Sequence, residues 1–236
     1  MAAITAVSDL KPFKTMWKIR VKIIRLWKQY SASGGLTIEM VLIDSNGVKI
    51  NTSVKKDLVN QFDSFLSQGS SKILINFSLN PSCGSYRTTI NPYKIGFLST
   101  TRVRSCDDLP DALTGFEPVN YMDILDDVIG QIVELTPIEV VSANGKETHK
   151  LTVELRNEKY THIQCVAYGA LAHRLNAFWR SNTADVVVCV LRLWRIEWGE
   201  GGFNYVTNME GGSDILFDSD IPEIQFFKSQ IPSIDL

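Results

Sequence analysis

A period of two governs this chain. Trp17, Ile19, Val21 and Ile23 alternate with Lys18, Arg20 and Lys22, the pattern of a half-buried strand with a basic outer face. The doublet Ile23-Ile24 breaks the alternation, as a bulge or strong bend does. Runs at 36–44 and 48–54 flank Ser45-Asn46-Gly47, and Asn-Gly between apolar runs is the strongest short hairpin signal. Leu58, Phe62, Phe65 and Leu66 then recur at helical spacing. Strands are predicted next at 73–79 and 86–97, separated by Asn-Pro-Ser-Cys-Gly-Ser turn chemistry.

The order recurs after an acidic, Pro-containing stretch from about residue 99 to 123. A strand opens at 128–133, runs at 151–155 and 160–168 flank a turn, 170–179 reads as a helix, and 186–196 and 203–208 read as strands. An offset of 113 residues aligns Ile50 with Ile163, Leu58 with Leu171 and Phe62 with Leu175, a match of pattern more than of identity. Five strands with one helix between the third and fourth is the layout of an OB-fold, a small Greek-key barrel. The expected fold is therefore all-β with short helices, as two tandem OB-folds. The expected boundaries are 8–105 for the first, 106–121 for an acidic linker, and 122–236 for the second with an acidic tail. A single β-sandwich is the competing architecture, and the helix at the same place in each half argues against it.

Composition narrows the function classes. The net charge of −2 conceals a polarity: residues 1–105 hold 15 Lys and Arg against 5 Asp and Glu, a balance of +10, and residues 106–236 hold 9 against 21, a balance of −12. One half meeting a polyanion explains this, as do two halves with unrelated surfaces. The most apolar stretch, 186–191, has six residues against the roughly 20 of a spanning helix, so no membrane partner is expected. The opening MAAITAVSDLK lacks a basic n-region, so no signal peptide is expected either. Cys83, Cys106, Cys165 and Cys189 lie at least 23 residues apart, which excludes a CxxC zinc knuckle and favours free thiols. His149, His162 and His173 show no metal-ligand spacing, and there is no GxGxxG, Walker, HExxH or GxSxG motif. No catalytic residue, metal or cofactor is expected.

Several segments are similar to the large, 70 kDa subunit of replication protein A, in its first two DNA-binding OB-folds, and most to the short plant paralogues of that subunit. They are LKPFKTMWKIRVKIIRLWKQY, TIEMVLIDSNGVKINTSVKKDLVNQF, DVIGQIVE, VELRNEKYTHIQCVAYGALAHRL and VVVCVLRLWRIEWGEGGFNYV. The resemblance implies single-stranded DNA as ligand, two base-stacking aromatics per barrel, a nuclear location, and partnership with the other replication protein A subunits. Against trimer assembly, the family's zinc-containing C-terminal domain has no counterpart in these residues. The family's stacking positions fall on Tyr168 and Trp198 in the second half, and on Tyr86 and Ile38 in the first, where Ile38 offers no π face. The family's Arg-x-Trp is kept as Arg25-Leu26-Trp27.

Aromatics in strands are usually core, and Trp17, Phe62, Phe65, Phe97 and Phe178 are read so. Tyr86, Tyr168 and Trp198 each lie near Gly at a strand end or loop, where a ring is free to stack on a base. Arg20, Lys22, Arg25 and Lys28 line the first strand, Lys55 and Lys56 open the first helix, and Arg87 follows Tyr86. A solvated face accounts for such residues. Interleaving with Trp27 and Tyr86 in a half at +10 points instead to phosphate contacts. Arg195, on a strand end with Trp198, is the chosen cation of the second half. RNA is the alternative ligand, because stacking does not distinguish the sugars. A protein-interaction adaptor without strong nucleic-acid binding is the alternative function.

Overall fold

A computed structural model describes residues 3–14, 16–31, 34–82, 89–115, 127–143, 145–199, 202–217 and 221–231. The chain divides into two compact units, Met1–Phe116 and Glu117–Leu236. In the first, β1 (Lys18–Ser31), β2 (Gly35–Asp44) and β3 (Lys49–Val54) form a meander. Next come α1 (Lys56–Phe62) with a 3-10 turn at Asp63–Phe65, then β4 (Ser71–Ile75), β5 (Ser78–Pro81), β6 (Tyr93–Gly96) and β7 (Arg102–Ser105).

Strand order is β5-β6-β3-β2-β1-β4-β7. β4 and β5 are two halves of one strand bent at Asn76, whose φ is 60°, and β6 and β7 are two halves of another. The ends of the sheet thus belong to the same two strands, and the sheet closes as a five-stranded barrel. Among the described residues its one parallel contact joins β3 to β6, as the OB topology requires. Ile24 is the extra residue of β1, where the register shifts between Ile23 and Arg25, so the doublet is a bulge. The hairpin turns at Gly47 with φ 81°.

The second unit repeats this plan. β8 (Asp127–Leu135), β10 (Lys146–Arg156) and β11 (His162–Tyr168) are its meander, with β9 (Glu139–Ala143) an added hairpin arm on β10. α2 (Ala170–Ser181), β12 (Val188–Arg192), β13 (Arg195–Gly199), β14 (Gly202–Thr207), β15 (Asp214–Phe217) and α3 (Pro222–Gln230) follow. The order β13-β14-β11-β10-β8-β12-β15 matches the first unit position for position, with β11 and β14 parallel. Even the kinks agree. Thr101 Oγ1 donates to the Asn76 carbonyl at 2.7 Å and accepts from the Leu98 N–H at 2.8 Å; Ser213 Oγ donates to the Leu193 carbonyl at 2.7 Å and accepts from the Met209 N–H at 2.8 Å. Leu193, like Asn76, has a positive φ, of 55°.

Each barrel encloses its own core. Ile19, Val21, Ile38, Met40, Ile50 and Leu74 fill the first; Val128, Leu151, Val153, Cys165, Leu191 and Val206 fill the second. The aligned pairs Ile50 and Ile163, and Phe62 and Leu175, are all buried. Burial pushes the Cys165 thiol up, with Cys189 adding to the shift.

Five expectations are corrected. The run 186–196 is two strands, because Leu193 turns the chain and sends Trp194 inward; periodicity does not register a kink with apolar residues on both sides. The stretch beyond residue 99 contains β7, and the acidic tail contains β15 and α3, which buries Ile224 and Phe227. Phe65, read as core, is 55% exposed because the 3-10 turn rotates it off the buried face. The stretch 106–115 folds onto the first unit: Leu109 is buried, its N–H donates to Ser71 Oγ at 2.8 Å, and the Ser71 N–H donates to Asp108 Oδ1 at 3.0 Å.

Candidate nucleic-acid interface

On an OB barrel the outer face of the second and third strands, with the loops joining strands 1–2 and 4–5, is the surface for an oligonucleotide. In the first unit that face carries Thr37 and Glu39 from β2, Ser53 from β3 and Lys94 from β6. Glu39 is saturated. Lys94 Nζ lies 2.9 Å from Oε2, Ser53 Oγ donates to the same oxygen at 2.5 Å, and Thr37 Oγ1 donates to Oε1 at 3.0 Å. The floor is polar, and its cation is already matched by a carboxylate.

The basic residues of β1 do not converge there. Arg20 donates from Nη2 to the Asp107 carbonyl at 2.7 Å. Lys22, expected on the solvated face, is buried: its Nζ pairs with Asp111 at 3.0 Å and donates to the Pro110 carbonyl at 3.3 Å. Strand phase pointed Lys22 outward correctly and could not reveal that the chain returns to cover it. Lys49 Nζ donates to the Gly115 carbonyl at 2.9 Å. Gly115 has φ 67°, and a Cβ there would lie 2.4 Å from Ile24 Cδ1, so only glycine lets the segment come this close. Arg25 Nη1 reaches Gln68 Oε1 at 3.5 Å, and Lys28 pairs with Asp63 at 2.7 Å.

Two further assignments are corrected. Ile38 is fully buried in the barrel core, so it cannot meet a ligand. Trp27, paired across from Glu39, is buried to 9% exposure and offers no free ring face. Alignment of the two meanders by burial phase places the counterpart of Tyr168 at Lys55, since Val54 and Ala167 are the equivalent inward residues. Lys55 is exposed at the N-terminus of α1, and the stem of Lys56 lies across Gly35 at the start of β2. Lys56 thus lies beside the strand 1–2 turn. Tyr86 and Arg87 lie outside the described residues.

The second unit is built differently. Tyr168 ends β11, and Gly169, with φ 63°, turns the chain sharply into α2, leaving the ring at the corner. Asn208 fixes that corner: its Oδ1 accepts from the Tyr168 N–H at 2.7 Å and its Nδ2 donates to the Tyr168 carbonyl at 3.3 Å. Tyr168 is the register partner of Lys150 on β10, and its hydroxyl lies near that of Tyr205 on β14. Burial pushes the Tyr205 phenol up, and Tyr168 and Glu197 add to the shift. Arg195 Nε lies 2.8 Å from Glu197 Oε1, two residues along β13, and Glu197 faces Tyr205 across the register. The backbone of Trp198 lies in β13 opposite Phe203, next to the strand 4–5 loop.

Lys150, Tyr168 and Tyr205 thus form one patch, two phenol rings and a cation, on the face that the fold reserves for a strand. Sequence reasoning missed Tyr205 and Lys150. The signal was available: Val206 and Leu151 are inward, so their neighbours face out. His149 and His173, far apart in sequence, meet with ring centroids 4.5 Å apart, and no group of three or more metal-ligating side chains occurs among the described residues.

Residues 8–125 match the family model described as Domain of unknown function DUF223. The chain is 23% identical over 187 residues to an Arabidopsis thaliana replication protein A 70 kDa DNA-binding subunit, covering 73% of this chain and 29% of that one. It is 23% identical to the Xenopus laevis replication protein A 70 kDa DNA-binding subunit, covering 93% of this chain and 37% of that one. The chain therefore spans about a third of the length of these relatives. Among solved structures, a replication protein A heterotrimer bound to single-stranded DNA superposes with a TM-score of 0.57 at 17% identity, over 96% of this chain and 54% of that chain, which fixes the tandem OB-fold. The chain belongs to the DUF223 family, and in sequence and fold it is similar to the replication protein A 70 kDa subunit.

Proposed function

We propose that this chain binds single-stranded DNA in the manner of its DNA-binding relatives, with the second unit supplying stacking and the first supplying charge. The observation that carries the reading is the patch of Tyr168, Tyr205 and Lys150 on the outer face of β10, β11 and β14. Stacking on such rings is tolerant of sequence, because every base has a π face. Trp198 and Tyr86 are the proposed loop platforms. Arg25, Lys28, Lys55, Lys56, Arg87 and Arg195 are the proposed phosphate contacts; Arg20 and Lys22 join them only where residues 107–111 give way. The similarity to replication protein A 70 kDa subunits carries the proposals that the chain works in the nucleus and meets other replication protein A subunits.

Fluorescence titration with oligo(dT) at low salt tests the reading, with oligo(U) as competitor to separate DNA from RNA. The adaptor reading has its own support in the Glu39–Lys94 pair, which occupies the first unit's floor, and in the burial of Ile38. Failure of the parent protein to bind either oligonucleotide at low salt makes the adaptor reading the correct one.

A further inference from the structure

The two barrels differ on the face away from the second and third strands. Leu74 on β4 and Leu191 on β12 both point into the core, opposite Ile19 and Val128. One residue along, the outward row of the second unit reads Ile129, Val190, Leu216. The equivalent row of the first unit reads Arg20, Ile73, Arg104, and the next reads Lys18, Ile75, Arg102.

Ile129 and Val190 are buried although they lie outside the barrel core. The helix α3 packs on β12 and β8 and contributes Ile224 and Phe227. No helix follows β7 among the described residues of the first unit. Residues 106–115 pass instead over the Lys22 end of β1, taking up Arg20 at the Asp107 carbonyl. Ile73 and Ile75 stay partly exposed, Arg102 and Arg104 are exposed, and among the described residues no carboxylate pairs with Arg102, Arg104 or Lys18. The outer edge of β7 pairs with no other described strand. Across a cleft of about 340 Å³ from Arg102 and Arg104 stands the exposed ring of Phe65.

We propose that this β1–β4–β7 face of the first unit docks an acidic amphipathic segment of a partner protein, seated as α3 is seated on the second unit. The isoleucines call for apolar side chains, and the flanking cations call for carboxylates around them. A nucleic acid would satisfy the cations and leave the isoleucines without apolar partners. The proposal does not depend on single-stranded DNA binding, which the opposite face would perform.

The test uses the full chain and a fluorescein-labelled peptide with the sequence of residues 218–230, which carries Asp218, Asp220 and Glu223 beside Ile224 and Phe227. Anisotropy should show binding to the parent, at least ~10-fold weaker binding to the Arg102→Glu/Arg104→Glu variant, and oligo(dT) affinity unchanged within ~2-fold. A peptide with Ile224→Ser and Phe227→Ser should bind at least ~10-fold more weakly. The proposal is overturned if the labelled peptide does not bind the parent, or binds parent and variant alike. It is equally overturned if the serine peptide binds as well as the original, or if the variant loses oligo(dT) instead, which would make this a nucleic-acid surface.

Discussion

Tyr205 is the residue whose position says most about the second barrel. It lies close enough to Tyr168 and Lys150 for both to act on its phenol, so the two tyrosines form one platform. Tyr168→Ala should weaken oligo(dT) binding by an amount equivalent to about 1–3 kcal/mol, read by titration, while the kink and core stay intact. Tyr205→Phe keeps the ring and should bind within ~2-fold of the parent, since stacking needs the π face and not the hydroxyl. The same phenol has an alkaline signature. Its folded-state pKa lies above the ordinary value of about 10, so its contribution to stability is full below that pH and is lost as pH rises through the folded-state value. The melting temperature of the parent should therefore fall relative to that of Tyr205→Phe only above about pH 10.

At the scale of elements, the segment 106–115 changes what the basic strand can do. Leu109 is 4% exposed and is clamped through Ser71 and Asp108, so Leu109→Ala should cost about 2–5 kcal/mol in denaturant unfolding of the first unit. A residue in a free linker would cost less than about 0.5 kcal/mol. Phe227→Ala should likewise cost about 3–5 kcal/mol in the second unit, because α3 is a built part of it. The meanders, the bulge at Ile24, the Asn46-Gly47 turn and both barrel helices were legible in the sequence, because alternation, turn chemistry and helical spacing are local signals. The strand bends at Asn76 and Leu193 were not, since the hydroxyls that hold them, of Thr101 and Ser213, come from residues far along the chain, just before β7 and β15. Nor was the fate of Lys22: alternation gives the phase of a side chain and says nothing about what lies over it. Ile224 and Phe227 in an acidic stretch were too short a pattern to announce α3.

For the whole molecule, net charge by halves is a coarser guide than it first looks. The first half holds +10, yet Arg20, Lys22, Lys28, Lys49 and Lys94 all have acceptors within their own unit. The dependence of oligo(dT) affinity on salt should therefore have a shallower slope than a count of Lys and Arg suggests, with only the uncommitted cations releasing counterions. Limited proteolysis should yield a first fragment ending beyond Gly115 and not near Ser105, because the hydrogen bonds of residues 107–111 and the buried Leu109 protect that stretch. The parallel contacts that shut the barrels, β3 with β6 and β11 with β14, also govern how the chain reaches this state. Each brings together strands separated in sequence by a helix and an entire further strand, so loop entropy is lost before the contact repays it. Refolding should then proceed in two phases on the order of milliseconds to seconds, one per barrel. In stopped-flow experiments Ile95→Val should alter one phase and Val206→Ala the other, leaving two independent clocks in a single chain.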